Sequence, residues 1–177
     1  MLSCGQRNTG ITSIDVNVEA LPLVHGEDIV GLVSDSGVVI ARITTKVQDT
    51  YSNDTASYWF FPQGIFVEKF DSLFQVNARV WADTAYYFDR IALWQLIGNV
   101  KLENTVGTIC ETSELFWNSR EPPASMQAIY SEKFVKITEP TKVHTTIGFK
   151  ANQSVTKYTL YKNTLDMEID EANSAEE

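Results

Sequence analysis

Alternation with a period of two is the feature that most constrains this chain. Phe74, Val76, Ala78, Val80 and Ala82 fall on one side of an extended run, with Gln75, Asn77, Arg79 and Trp81 between them. Trp94, Leu96, Gly98, Val100 and Leu102 repeat the pattern against Leu93, Gln95, Ile97, Asn99 and Lys101. Successive side chains of a strand point to opposite faces of its sheet, so each run offers one apolar face to a core. A helix would need apolar residues three and four apart, and no convincing stretch of that kind occurs. β-Branched and aromatic residues, which suit a pleated surface, recur throughout.

Further strands are predicted over 38–47, 58–61, 65–70, 85–88, 108–117, 126–138, 143–150 and 155–161. Turn formers separate them: Ser34-Asp35-Ser36-Gly37, the polar run 49–54, Pro62-Gln63-Gly64, the runs 103–107 and 118–123, and Glu139-Pro140. Strands at this spacing build an antiparallel all-β roll, barrel or sandwich. A chain of 177 residues is long enough to bury a core as a single domain without staples. Residues 1–28 read as a tether and linker, 29–164 as the folded roll, and 165–177 as an acidic flexible tail.

The formal net charge is −9, and much of it is local. Asp166, Glu168, Asp170, Glu171, Glu176 and Glu177 crowd the tail with no Lys or Arg among them. An acidic balance argues against a nucleic-acid binder, which needs a basic footprint. No run approaches the roughly 20 apolar residues of a membrane-spanning helix.

Two cysteines make neither a disulfide framework nor a four-ligand zinc site. Cys110, within Thr108-Ile109-Cys110-Glu111-Thr112, reads as a small core residue. Cys4 stands in Met1-Leu2-Ser3-Cys4-Gly5, which looks like the end of a bacterial lipoprotein signal, where the Cys becomes the acylated first residue. The charged and apolar segments that precede such a Cys are not in the sequence, and the plainer reading is a chance Cys near a terminus.

Chemistry is sparse. His25 and His144 have no second ligand at metal spacing. Nucleophile elbows, phosphate loops and Cys/His signatures are missing. Asp83 and Asp89 flank Ala85-Tyr86-Tyr87-Phe88 and read as strand ends, while Glu111 and Glu114 fall on opposite faces of a strand. The expectation is no enzyme, no metal and no cofactor. The clusters Tyr58-Trp59-Phe60-Phe61 and Tyr86-Tyr87-Phe88, with Trp117, read as core and sheet cover; the alternative is a platform that stacks on sugar rings.

Several pieces, in order, resemble one family. Ser34-Asp35-Ser36-Gly37 followed by Ala41-Arg42-Ile43 looks like a Gly turn leading into a first roll strand. Tyr58-Trp59-Phe60-Phe61-Pro62 and Glu68-Lys69-Phe70-Asp71 look like the second and third strands. The stretch 78–85 with Leu96-Ile97-Gly98-Asn99-Val100 looks like a hairpin repeated through the superfamily, and Ile147-Gly148-Phe149 like its late Gly segment. Together they resemble the periplasmic lipopolysaccharide-transport LptC family, of the OstA/LptA-like superfamily. The style of Tyr130-Ser131-Glu132-Lys133-Phe134 is similar to Bacteroidetes-type members.

The resemblance implies a twisted antiparallel β-jellyroll with an open apolar groove. It implies a non-enzymatic carrier that accepts lipopolysaccharide from an inner-membrane ABC transporter and hands it to an LptA-like protein for outer-membrane delivery. Family members are commonly anchored by a helix; here acyl chains on Cys4 are expected to replace it at the inner membrane. Phe60, Val76, Ala78, Val80, Leu96, Val100, Ile147 and Phe149 are expected to face the lipid acyl chains. Ile97 also matches a lipid-contact position, although its alternation sets it opposite Leu96. The expected partner edges are Val155, Lys157, Thr159 and Tyr161 at the end of the roll, and Gly37, Val39 and Ile43 at its start. The acidic residues after the last strand are expected to stay out of the sheet. The reading from a different class is a surface lipoprotein that binds carbohydrate through exposed aromatics on a β-sandwich.

Overall fold

The computed structural model describes residues 21–35, 37–52 and 57–168. They form eleven strands: β1 Val24–Asp35, β2 Val38–Ser52, β3 Ser57–Phe61, β4 Ile65–Phe70, β5 Val76–Ala82, β6 Thr84–Phe88, β7 Leu93–Asn104, β8 Ile109–Asn118, β9 Ile129–Thr138, β10 Lys142–Ala151 and β11 Tyr158–Glu168. All the strand pairs are antiparallel and belong to one sheet. The antiparallel all-β architecture read from the alternation is the one observed, and it is jellyroll-like, as the resemblance implies.

The pairing is simpler than the strand order implies. β2 pairs with β4 through Ala41–Thr44 and with β3 through Asp49–Ser52, so β3 and β4 are one lane broken at Pro62-Gln63-Gly64. β7 likewise pairs with β6 through its first half and β5 through its second, so β5 and β6 are one lane broken at Asp83. Each lane then lies beside the next one in sequence, from β1 to β11. The result is a continuous meander.

Irregularities in neighbouring lanes line up across this meander as a crease. Asp28 has positive φ and sits opposite Lys46. Thr45 Oγ1 donates to the Gly64 carbonyl at 2.7 Å, and Gly64 backs onto the carbonyls of Ala82 and Asp83. The Asp83 N–H donates to Gly98 O at 3.0 Å. The register then shifts between Ile97 and Val100, between Thr112 and Phe116, and between Ile147 and Phe149, where Gly148 has positive φ. Such bulges bend a strand and increase its twist. Set side by side, they fold every lane at the same height and bring two half-sheets toward one another.

The core lies between the halves. Ile43, Val67, Val80, Leu102 and Ile137 come from one half; Phe61, Trp94, Leu96, Leu115 and Phe149 come from the other, in one buried cluster. Each such side chain contributes about 1.5–3 kcal/mol by leaving water. Cys110 is fully buried, as expected of a small core residue, and burial pushes its thiol up to about 12.

Five expectations need correction. Phe74 is no strand residue: it occupies a turn with φ of 60°, exposed and stacked on Phe70. β1 begins at Val24, inside the stretch read as linker, and lies outside β2. Val39 and Ile43 therefore stand in a lane flanked on both sides, and Gly37 is in the β1–β2 turn, so none of the three forms the edge. Val155 is no edge residue either; it is fully buried in the turn before β11. β11 continues through Glu168, and the acidic stretch 165–168 pairs with β10, because the ladder is made by backbone N–H and C=O groups that every residue but Pro carries.

Candidate functional site

The half-sheets do not close completely. At the end where β1 and β4 finish and β7 begins, a cavity of about 750 Å³ remains between them. That volume lies within the usual range of small-molecule sites, roughly 300–1,000 Å³. Ile43 and Val67 line one side. Opposite stand Trp59, Tyr87, Trp94 and Trp117, a ladder in which Tyr87 stacks on Trp94 at 4.6 Å and Trp94 on Trp117 at 6.2 Å. The loop carrying Ser119, Arg120, Glu121, Pro122 and Pro123 rims the opening, tied down by Gln153, whose Nε2 donates to the Glu121 carbonyl at 2.7 Å.

Lys69 is the one lysine on this wall. In β4 the inward positions are Ile65, Val67 and then Lys69, so its ammonium is carried into an apolar space by strand alternation. Its Nζ donates to Gln153 Oε1 at 3.0 Å and lies 4.8 Å from the centre of the Trp117 ring, a cation–π distance. Burial lowers its pKa from 10.5 to about 8. The arrangement suits an amphiphile: aromatic and aliphatic walls for hydrocarbon, with one cation among them.

None of the nine residues expected to meet lipid lines this cavity. Ala78, Val80, Leu96, Val100 and Phe149 do face inward, but they fill the packed middle of the roll. Val76 is half-buried at the start of β5. Phe60, Ile97 and Ile147 point the other way. Phe60 stacks on Tyr86 at 4.6 Å on the outer face while its neighbour Phe61 is fully buried; Ile97 alternates with buried Leu96, and Ile147 is 50% exposed. Of the expected edge residues at the end of the roll, Lys157 precedes β11, and Thr159 and Tyr161 are exposed on it. Among the described residues, β11 pairs only with β10 and β1 only with β2, so these two strands are the open edges.

The outer aromatics form a patch of their own: Tyr51 stacks on Tyr58 at 4.9 Å, Phe60 on Tyr86 at 4.6 Å, and Tyr86 on Phe88 at 6.1 Å. Each of these rings gives at least one face to a neighbour, and sugar stacking would have to use the other. A second depression, of about 540 Å³, follows the crease outside; its charged groups are engaged, Lys46 with Asp28 in an ion pair and Asp83 with Asn99 in a hydrogen bond. Among the described residues no three His, Cys, Asp or Glu side chains are placed to hold a metal ion, and no helix is long and apolar enough to cross a membrane. Cys4 lies outside the described residues.

A family model described as lipopolysaccharide-assembly, LptC-related, matches residues 22–165. The match begins just before β1 and ends within β11, covering both half-sheets, the crease and the cavity. A comparison with curated proteins finds no match.

Proposed function

Because this chain belongs to the lipopolysaccharide-assembly, LptC-related family, whose members act in lipopolysaccharide transport, we propose that it is a non-enzymatic carrier holding lipid A acyl chains between its half-sheets. The observation that carries the reading is the cavity of about 750 Å³ walled by Ile43, Val67, Trp94 and Trp117. Each methylene kept out of water is worth about 0.8 kcal/mol, so a carrier of acyl chains needs such a lining. The path starts at the cavity and continues past Ala78, Val80, Leu96, Val100 and Phe149 when the halves part along the crease.

The carrier takes lipopolysaccharide from an inner-membrane ABC transporter and passes it to an LptA-like protein in the periplasm. The open edge of β11, with Thr159 and Tyr161 exposed, receives the LptA-like partner by strand addition, and the edge of β1 faces the transporter. Acyl chains on Cys4 supply the inner-membrane anchor, and Cys4→Ala then releases the protein to the soluble fraction.

Photo-crosslinking in living cells tests the path. A benzophenone side chain at Val33 or Asn77, both on the cavity wall, captures lipopolysaccharide; the same group at Ile97 or Ile147 does not. Equal capture at the two sets would show that the lipid does not travel between the half-sheets.

A further inference from the structure

Lys69 and Trp117 bring more donors to the cavity wall than acceptors reach. Lys69 carries three N–H donors, and the one hydrogen bond it makes is to Gln153 Oε1. The indole Nε1 of Trp117, whose ring lies under that ammonium, is buried with no partner. The other charged groups on the cavity are Asp35, Arg120 and Glu121. Glu121 accepts from Ser125 Oγ at 2.6 Å, and Arg120 Nη2 donates to the Arg90 carbonyl at 2.7 Å. No ion pair joins Lys69 to a carboxylate among the described residues, and burial alone accounts for its lowered pKa. A cation withdrawn from water without a counter-charge costs stability, and a fold has no packing need for one where Leu or Met would fill the same volume.

We propose that Lys69 is an anion anchor: its ammonium takes the phosphate or carboxylate oxygens of an amphiphile whose hydrocarbon lies against Ile43, Val67 and Trp94. The oxygens supply the acceptors that the Lys69 ammonium and Trp117 Nε1 lack, and the charge-assisted bonds they form are shorter and stronger than neutral ones. The anchor rests on the carrier reading and deepens it, since it sets which end of the amphiphile sits beside Trp117. Hydrocarbon alone slides along an apolar trough; a charged head held at one point gives the cargo a register.

Titration of the full chain with dodecyl phosphate, dodecyl maltoside and inorganic phosphate, each below any micelle concentration and read by tryptophan fluorescence, tests the anchor. Dodecyl phosphate binds the native protein and Lys69→Arg, and binds Lys69→Met roughly ten-fold or more weakly, the usual scale for losing a charged hydrogen bond. Dodecyl maltoside binds all three alike. Lys69→Gln repeats the loss if Met disturbs β4, with circular dichroism reporting the fold. Undiminished dodecyl phosphate affinity in both neutral variants overturns the anchor while leaving the carrier reading intact. Competition by inorganic phosphate as strong as by dodecyl phosphate overturns the amphiphile in favour of a simple anion site. Failure of the native protein to bind either dodecyl compound overturns the carrier reading itself.

Discussion

Asp83 and Gly98 hold each other across the crease. The Asp83 N–H donates to the Gly98 carbonyl at 3.0 Å, and its carboxylate accepts from Asn99 Nδ2 at 2.7 Å. Gly98 has φ of +76°, and a Cβ there would stand 2.7 Å from Asp83 Oδ2. Gly98→Ala is expected to cost about 1–3 kcal/mol, the sum of left-handed backbone strain and displacement of the Asp83 side chain. Urea denaturation measures it. Asp83→Ala in the same chain is expected to recover only the part due to the carboxylate, because the Cβ of residue 83, 3.0 Å from the new methyl, stays, as does the backbone strain.

Adjacent phenylalanines give a sharper contrast. Phe61 is fully buried and stacks on Trp94 at 5.8 Å, whereas Phe60 lies on the outer face against Tyr86. Phe61→Ala is expected to cost about 3–5 kcal/mol, as large-to-small core changes do. Phe60→Ala removes a partly exposed stacking partner and should cost about 0.5–1.5 kcal/mol beyond its modest burial. Equal losses of thermal stability would mean that the alternation of β3 is out of phase with the one described.

The start of edge strand β1 is expected to respond to pH. His25 Nδ1 and Asp49 Oδ1 are 2.6 Å apart across the β1–β2 pair, with Glu27 at 3.5 Å from Nε2. The hydrogen bond to Asp49, then that to Glu27, raises the imidazole pKa above 6.5. A raised pKa means that the folded state holds the proton more tightly, so the tie is complete below the unfolded value and is lost as pH rises through the folded one. Amide exchange in the stretch 24–27, corrected for intrinsic rates, should lose protection over that interval. His25→Gln should remove the pH dependence.

Lys69 has the opposite sign. Its pKa is lowered by burial from 10.5 to about 8, so between those values the unfolded chain holds more protons and stability rises with pH. Below about pH 8 the charged ammonium is a standing cost. Lys69→Met should therefore be more stable than the native chain near pH 7, with a gap that narrows by about pH 9.5. Asp35, Arg120 and Glu121, which share the cavity, stay in both proteins and cancel in the difference. A gap that holds constant with pH would mean that Lys69 stays fully solvated.

Much of the fold was legible because alternation survives the crease. Leu96, Gly98, Val100 and Leu102 keep one phase across a register shift, so β7 reads as one uninterrupted strand although it is bent in the middle. For the same reason the bend itself left no mark in the pattern. At Tyr58-Trp59-Phe60-Phe61 four aromatics in succession carry no polar residue to set the phase, and family likeness pointed to Phe60 where packing selects Phe61. β1 was hidden because an edge lane buries little: Ile29, Gly31 and Val33 are half-buried while Val30 and Leu32 are exposed. The missed cavity had one signal, the sequence Ile65, Val67, Lys69 at successive inward positions. The position of Lys69 in that alternation places its charge inside.

The meander also sets how this chain can assemble. Every lane bonds to the lane before and after it in sequence, and β1 and β11 meet nowhere in the ladder. Backbone pairing can therefore spread hairpin by hairpin without first closing a long loop, which keeps the entropic cost of each added lane small. Contacts between the half-sheets, such as that of Lys69 with Gln153 eighty-four residues later, form across far larger loops. Loop entropy thus favours zippering first, and closure along the crease, which must join distant residues, is the step expected to turn a ribbon of hairpins into a container.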